Sequence, residues 1–287
     1  MKLLVLGGSG FIGSEFVKRA SLSNEVLATY NNTNFTKHNF SSIKFCFPND
    51  FDILKKIIIN EQPNVIINFI ANTNLDYCEN NQKNVYDLNV ILPKKICKLS
   101  NEINSKFIHI SSDYVFDGKQ GDYNENDNTH PVNFYGYTKQ LSEEITLKYS
   151  KNIVIRTSSV YDLKLQTNFI QFVFEKLKKN EKVFAFNDVL TTPILIDELT
   201  DSLLRIITSN ESGIFHISGD ECITRFEFAK IIAQKLKLHE ELIVPISVKS
   251  IEQKISRPQN SCLNNKKIKE IFNIKFSKLE DNIGRLK

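Results

Sequence analysis

The chain has 287 residues, 37 Lys and Arg against 33 Asp and Glu, and a formal net charge of +4. That length fits one large α/β domain, or a cofactor domain with a smaller cap. Hydrophobic content of 41% and charged content of 24% are ordinary for a globular protein; with no basic run carrying interleaved aromatics and no long apolar stretch, they argue against a nucleic-acid binder and a membrane span.

The opening MKLLVLGGSG reads as a strand and a glycine turn, not as a secretory leader, so the expected location is cytoplasmic. Lys2–Leu6 is a short apolar strand, and Phe11–Ala20 reads as a helix. Glu25–Tyr30 and Ser42–Phe47 are the next strands. Phe51–Asn60 is helical with Asp50 as its expected N-cap. Val65–Ala71 is almost continuously apolar, as in a strand covered on both faces. A helix is expected over Lys83–Ser100, strands over Phe107–Ser111 and Asn152–Thr157, and a helix from near Tyr135. Strands alternating with helices predict a doubly wound parallel sheet of Rossmann type over residues 1–160.

Beyond Tyr161 the pattern loosens. Helices are expected at Asn168–Lys179, Asp197–Thr208, Thr224–Leu238 and Lys266–Phe272, with strands at Lys182–Phe186 and Gly213–Ile217. Thr224 with Glu227 makes a capping box. Residues 161–287 are expected to form mainly a smaller α/β substrate domain, with the segment around 213–218 returning to the first sheet.

Five cysteines (Cys46, Cys78, Cys97, Cys222 and Cys262) are odd in number, widely spaced and without a CxxC. They read as reduced thiols, neither a disulfide framework nor a zinc site. The five histidines are equally dispersed, so no metal is expected.

Gly7, Gly10 and Gly13 follow a strand and open a helix, the context a dinucleotide site requires. Gly7 makes the tight turn, Gly10 lets backbone approach a pyrophosphate, and Gly13 allows close helix packing. Phe11 and Ile12 stand in the first turn, whose free N–H groups face the anion. The second strand ends in Thr29, Tyr30, Asn31 and Asn32, with no acidic residue for a ribose 2′-hydroxyl. A carboxylate would repel a 2′-phosphate, so its absence favours NADP(H) and leaves NAD(H) open. Lys37 and His38 follow; a phosphate contact and an ordinary surface loop are both open for them.

Tyr135 and Lys139 are four apart, which places them on one helix face. A lysine cation there would favour the tyrosinate and lower the phenol pKa. Tyr135 could then protonate a carbonyl oxygen as hydride arrives, and Ser112, at a strand end, could hydrogen-bond the same oxygen. Ser111 is expected to turn away by alternation. Among nine tyrosines, only Tyr135 has Lys four residues on. Order adds the specificity: glycine turn, then strand ending in serines, then Tyr–Lys helix.

These segments resemble the extended short-chain dehydrogenase/reductases, and more narrowly the dTDP-4-dehydrorhamnose reductase family. The resemblance rests on GGSGFIG at Gly7–Gly13, NFIANTNLDYCE at Asn68–Glu79, LNV at Leu88–Val90, SSDYVFDG at Ser111–Gly118, YGYTK at Tyr135–Lys139, VIRTSSVY at Val154–Tyr161 and RPQNSCL at Arg257–Leu263. It implies an NAD(P)H-dependent oxidoreductase that reduces the 4-keto group of a nucleoside-diphosphate 6-deoxy-sugar, in surface-polysaccharide precursor synthesis. Ser112, Tyr135 and Lys139 would be the triad, and Tyr135 and Lys139 would also line the cofactor with Tyr30, Asn31, Ala71 and Asn89. Asn89 would be the structural Asn of the fold. Thr73, Asp113, Tyr114 and Asn168 would belong to the substrate site, and Arg257 would sit near the diphosphate. The family usually has Trp where Ser159 stands and Gly where Asp162 stands, so an aromatic wall of the sugar pocket is missing or replaced by Phe. Alternatives left open are a non-catalytic NADP-binding regulatory subunit, like the methionine adenosyltransferase beta subunit, and a reductase or epimerase of a different sugar nucleotide. Monomer and homodimer are both open.

Overall fold

The computed structural model describes residues 1–35, 39–164, 169–250 and 255–285. Strands β1 (Lys2–Leu6), β2 (Glu25–Tyr30), β3 (Ser41–Lys44), β4 (Val65–Asn68), β5 (Lys106–Ser112) and β6 (Ile153–Thr157) join Gly213–Ile217 in one seven-stranded sheet. Its order is Gly213–Ile217, β6, β5, β4, β1, β2, β3, and every pairing is parallel. The chain builds outward from β1 to β3, then returns to β1's other side with β4. That reversal opens a crevice at the carboxyl ends of β1 and β4, where doubly wound sheets bind ligands.

Side-chain alternation explains why these strands are apolar throughout. Leu3 and Val5 enter one core with Phe16, Val17 and Ala20 of helix Phe11–Ala20 and Leu199, Leu203 and Ile206 of helix Ile196–Ile207. Leu4 and Leu6 enter the opposite core with Leu54, Ile58, Ile96 and Phe107. Both sheet faces are thus dry. A further core, built on Tyr161, Val173, Val183, Phe228, Ile232 and Ile243, lies under helices Phe169–Lys178 and Arg225–Lys235. Its two-stranded sheet pairs Val183–Phe186 with Ile243–Ile246 in parallel. The strand Ile243–Ile246 and the short helices Leu75–Asn80 and Leu279–Ile283 are absent from the sequence-based expectation.

Several local expectations are corrected. Helix Phe51–Glu61 begins after Asp50, but the Asp50 side chain does not cap it. Its Oδ2 accepts the Cys46 N–H at 2.7 Å, holding the incoming turn. The expected helix over 83–100 is not continuous. Gln82–Tyr86 runs into a wide π-helical turn at Asp87–Ile91 before helix Leu92–Glu102. Pro93 has no N–H to give Asn89, and its ring would crowd that carbonyl; an i→i+5 turn, with Leu92 N–H on Asp87 O, relieves both.

The cysteines also differ. Cys222 and Cys262 are disulfide-bonded, with Cα atoms 5.6 Å apart, while Cys46, Cys78 and Cys97 are free. Long-range strand contacts create the pair: Leu190 is opposite Thr224 on one side and bridges to Asn260 on the other.

Candidate active site

A cleft of about 610 Å³ opens over the carboxyl edge of the sheet. Its lining joins Gly10, Phe11, Ile12 and Gly13 of the glycine turn with Ala71, Thr73, Ser112, Asp113, Tyr114, Tyr135, Lys139 and Arg257. These residues are scattered over more than 240 positions and come together only through the sheet order. Gly7, Tyr30, Asn31 and Asn89 are not among the lining residues. Asn168, Lys37 and His38 lie outside the described residues.

Gly7 turns the chain at φ +76°, and its N–H donates to Thr29 Oγ1 at 2.9 Å. A Cβ at Gly13 would fall 2.2 Å from Gly7 O, so only glycine lets the helix start this close to the turn. Gly10 is the N-cap without a side-chain cap, and the first turn carries no acidic residue. Its N–H groups are therefore free to meet an anion. Two buried hydroxyls, Ser111 Oγ and Thr157 Oγ1, have no hydrogen-bond partner among the described residues, and both residues line the cleft. The free helix terminus, the bare glycine approach and the two orphan hydroxyls fit a nicotinamide dinucleotide.

Asn89 is fully buried and structural. It accepts the Asn72 N–H at 2.8 Å and donates to Asn72 O at 3.0 Å and Thr138 Oγ1 at 3.1 Å. The π-helical turn carries it, and it ties the loop after β4 to the Tyr135 helix.

Helix Phe134–Thr146 is capped by Asn133, whose Oδ1 accepts the Gly136 N–H at 2.8 Å. It places Tyr135 and Lys139 in the cleft, 8% and 1% exposed. Burial pushes the Tyr135 phenol well above its usual range, opposed by the nearby Ser112 hydroxyl; the Asp113 charge raises it further. Lys139 was expected to lower this pKa. Its Nζ instead donates to Ile110 O at 2.6 Å and lies 3.2 Å from His109 Nε2, and burial lowers its own pKa to about 8. A high-pKa phenol is a neutral acid at pH 7, the form needed to protonate a reduced carbonyl oxygen.

The tautomer of His109, a fully buried residue given no role from sequence, follows from donor accounting. Ile70 N–H occupies Asn68 Oδ1 at 3.1 Å, so Asn68 Nδ2 donates to His109 Nδ1 at 3.2 Å. His109 Nε2 therefore carries the proton and donates to Ser142 Oγ at 2.9 Å, Ser142 donates to Lys139 O at 2.8 Å, and the 3.2 Å approach of Lys139 Nζ to Nε2 is a contact between two donors, not a hydrogen bond. Burial and the Lys139 charge keep this imidazole neutral.

Around Asp113 a second chain is oriented in the same way. Its carboxylate accepts from Ser112 Oγ at 2.9 Å, Ser158 Oγ at 2.8 Å and Ser261 Oγ at 2.6 Å. With Ser158 spent on the carboxylate, Thr191 must donate to Ser158 at 2.5 Å and Ser159 to Thr191 at 2.8 Å. Ser159 then accepts Arg225 Nη2 at 3.1 Å. Burial raises the Asp113 pKa, while the three hydroxyls and Arg225 hold it down.

Arg225, Ser158, Thr191, Ser261, His109 and Gly136 are therefore site or support residues that sequence reasoning missed. Ser261 had a signal, since it lies within RPQNSCL. Arg225 had none beyond its place in a capping box.

A glycine turn at the head of a parallel sheet, with Ser, Tyr and Lys in one cleft, defines the short-chain dehydrogenase/reductase class. Within it, the family model described as RmlD substrate binding domain matches residues 1–286, and the chain belongs to that family. It is similar to the dTDP-4-dehydrorhamnose reductase of Aggregatibacter actinomycetemcomitans, 30% identical over 96% of this chain and 95% of that protein. It is also similar to methionine adenosyltransferase 2 subunit beta of Bos taurus, 29% identical over 75% of this chain and 66% of that protein. The crystal structure of a hypothetical dTDP-4-dehydrorhamnose reductase from Sulfolobus tokodaii superposes with a TM-score of 0.88, at 32% identity and 98% coverage of each chain.

Proposed function

We propose that this chain is an NADPH-dependent reductase of a nucleoside-diphosphate 4-keto-6-deoxy-sugar, with dTDP-4-dehydrorhamnose the first candidate. The carrying observation is the single cleft that joins the glycine turn to Ser112, Tyr135 and Lys139. Gly10, Phe11, Ile12 and Gly13 would hold the dinucleotide. When bound, the nicotinamide supplies the hydride. Tyr135, kept protonated by burial, gives its proton to the carbonyl oxygen. Ser112 fixes that oxygen once its hydroxyl turns from Asp113, which keeps Ser158 and Ser261 as donors. Lys139 holds a positive charge behind the phenol, with N–H groups to spare beyond the one on Ile110. Thr73, Tyr114 and Arg257 would face the sugar nucleotide. A cytoplasmic location belongs to the same reading.

The test is NADPH oxidation, followed by absorbance, with dTDP-4-dehydrorhamnose generated in situ and NADH in parallel. Turnover faster with NADPH supports the reading. NADPH binding without turnover on any 4-keto sugar nucleotide would contradict it and favour a binding subunit.

A further inference from the structure

Arg225 opens helix Arg225–Lys235, and its guanidinium is partly buried in the cleft wall. Two contacts fix its plane. Nη2 donates to Ser159 Oγ at 3.1 Å, and the guanidinium carbon lies 4.9 Å from the centre of the Phe169 ring. Ser159 itself is held at φ +44°, in the left-handed region, with its hydroxyl on Thr191. Arg257 lines the same cleft. Neither arginine forms an ion pair among the described residues. Burial and the charge of Arg257 both work against the Arg225 cation, opposed by Tyr114 and Asp113. Two guanidiniums lining one cavity, neither with a carboxylate in ion-pair contact among the described residues, suit an anion that can answer both.

Their backbone segments are joined. Thr224 pairs with Leu190, Leu190 bridges to Asn260, and Cys222 is bonded to Cys262. Arg225 stands three residues from Cys222, and Arg257 five from Cys262. The disulfide and the bridges thus hold the two arginine-bearing segments side by side.

We propose that Arg225 and Arg257 form a two-guanidinium clamp on the diphosphate of the sugar nucleotide, with Arg225 a substrate-binding residue in its own right. The inference rests on the sugar-nucleotide reading above. It assigns Arg225 to the phosphates and not to the sugar ring. Because Arg225 also heads the donor chain through Ser159, Thr191 and Ser158 to Asp113, the clamp is wired to the carboxylate that holds Ser112.

The test measures dTDP and UDP binding to the NADPH-saturated protein, wild type against Arg225→Gln and Arg225→Lys. Saturating NADPH keeps the probes out of the dinucleotide site. Arg225→Gln is expected to weaken diphosphate binding about 10- to 100-fold, the loss of charged hydrogen bonds. Arg225→Lys should recover part of that loss, since it restores charge without the fork. NADPH affinity should stay within about twofold, which shows that the fold survives. Diphosphate affinity unchanged in Arg225→Gln would overturn the proposal. So would an unchanged dTDP affinity with a raised KM for the complete sugar nucleotide, which would place Arg225 on the sugar. Either result with wild-type NADPH oxidation intact leaves the reductase reading standing. A wild type that binds no nucleoside diphosphate and turns over no sugar nucleotide overturns both.

Discussion

A Cβ added at Gly136 would fall 2.1 Å from the carbonyl oxygen of Tyr114. The helix that carries Tyr135 and Lys139 therefore rests directly on the turn that follows Ser112. Gly136→Ala must push the two apart, and a shift of about 1 Å in a reacting group costs about 100-fold. We expect kcat to fall at least that far while NADPH binding persists. A variant with wild-type kcat would show that this contact does not set the geometry.

Lys139 gives a pH dependence with a definite sign. Its folded pKa, lowered to about 8 by burial, lies below the unfolded value of about 10.4. Below pH 8 both states hold the proton and the full cost of burying the charge is present. Between about 8 and 10.4 the unfolded chain binds more proton, so this group makes stability rise with pH. Activity runs the other way, falling as the ammonium discharges above pH 8. Lys139→Met should be inactive yet more stable at pH 7, by about 2–4 kcal/mol. Denaturant melts of the two proteins at pH 7 and 9.5 check this; a variant less stable at pH 7 would refute it.

Glu143 and Arg156 form an ion pair with side chains 4% and 3% exposed, Nη2 to Oε2 at 2.8 Å. Glu143→Ala leaves a buried guanidinium unpaired and should cost about 3–5 kcal/mol. It also removes a charge that supports the Lys139 ammonium. The alkaline limb of the pH–rate profile should therefore move to lower pH, which loss of packing alone would not do.

The disulfide spans 40 residues of chain. Cys222→Ser, or reduction, should lower stability by about 2–4 kcal/mol through the freed unfolded state. Thermal melts with and without reductant give the comparison. A reductant effect that persists in Cys222→Ser would rule out this bond as its source.

Legibility in the sequence followed the range of the interactions. The alternation of Leu3 to Leu6, the glycine turn and the Tyr135–Lys139 spacing are local patterns, and the parallel sheet followed from them. Pro93 was a readable stop signal inside the helix expected over 83–100, and it marks the wide turn that carries Asn89. The Asp50 cap failed because a nearer backbone donor, Cys46 N–H, took its oxygen. Arg225 and the Cys222–Cys262 pair were invisible for one reason: both depend on the strand Leu190–Thr191 lying between two distant segments. No spacing rule reports such a contact. The expected effect of Lys139 on the Tyr135 phenol failed energetically, because burial outweighs a charge that the Ile110 carbonyl already engages.

The most direct test of the central claim compares wild type with Tyr135→Phe in NADPH oxidation on dTDP-4-dehydrorhamnose. Removing one oxygen leaves the ring packing with Tyr114, centroids 5.8 Å apart, in place. Steady oxidation is expected from the wild type, with a loss of about 100-fold or more in kcat in the variant and NADPH affinity retained. Equal rates in the two proteins would contradict Tyr135 as the proton donor.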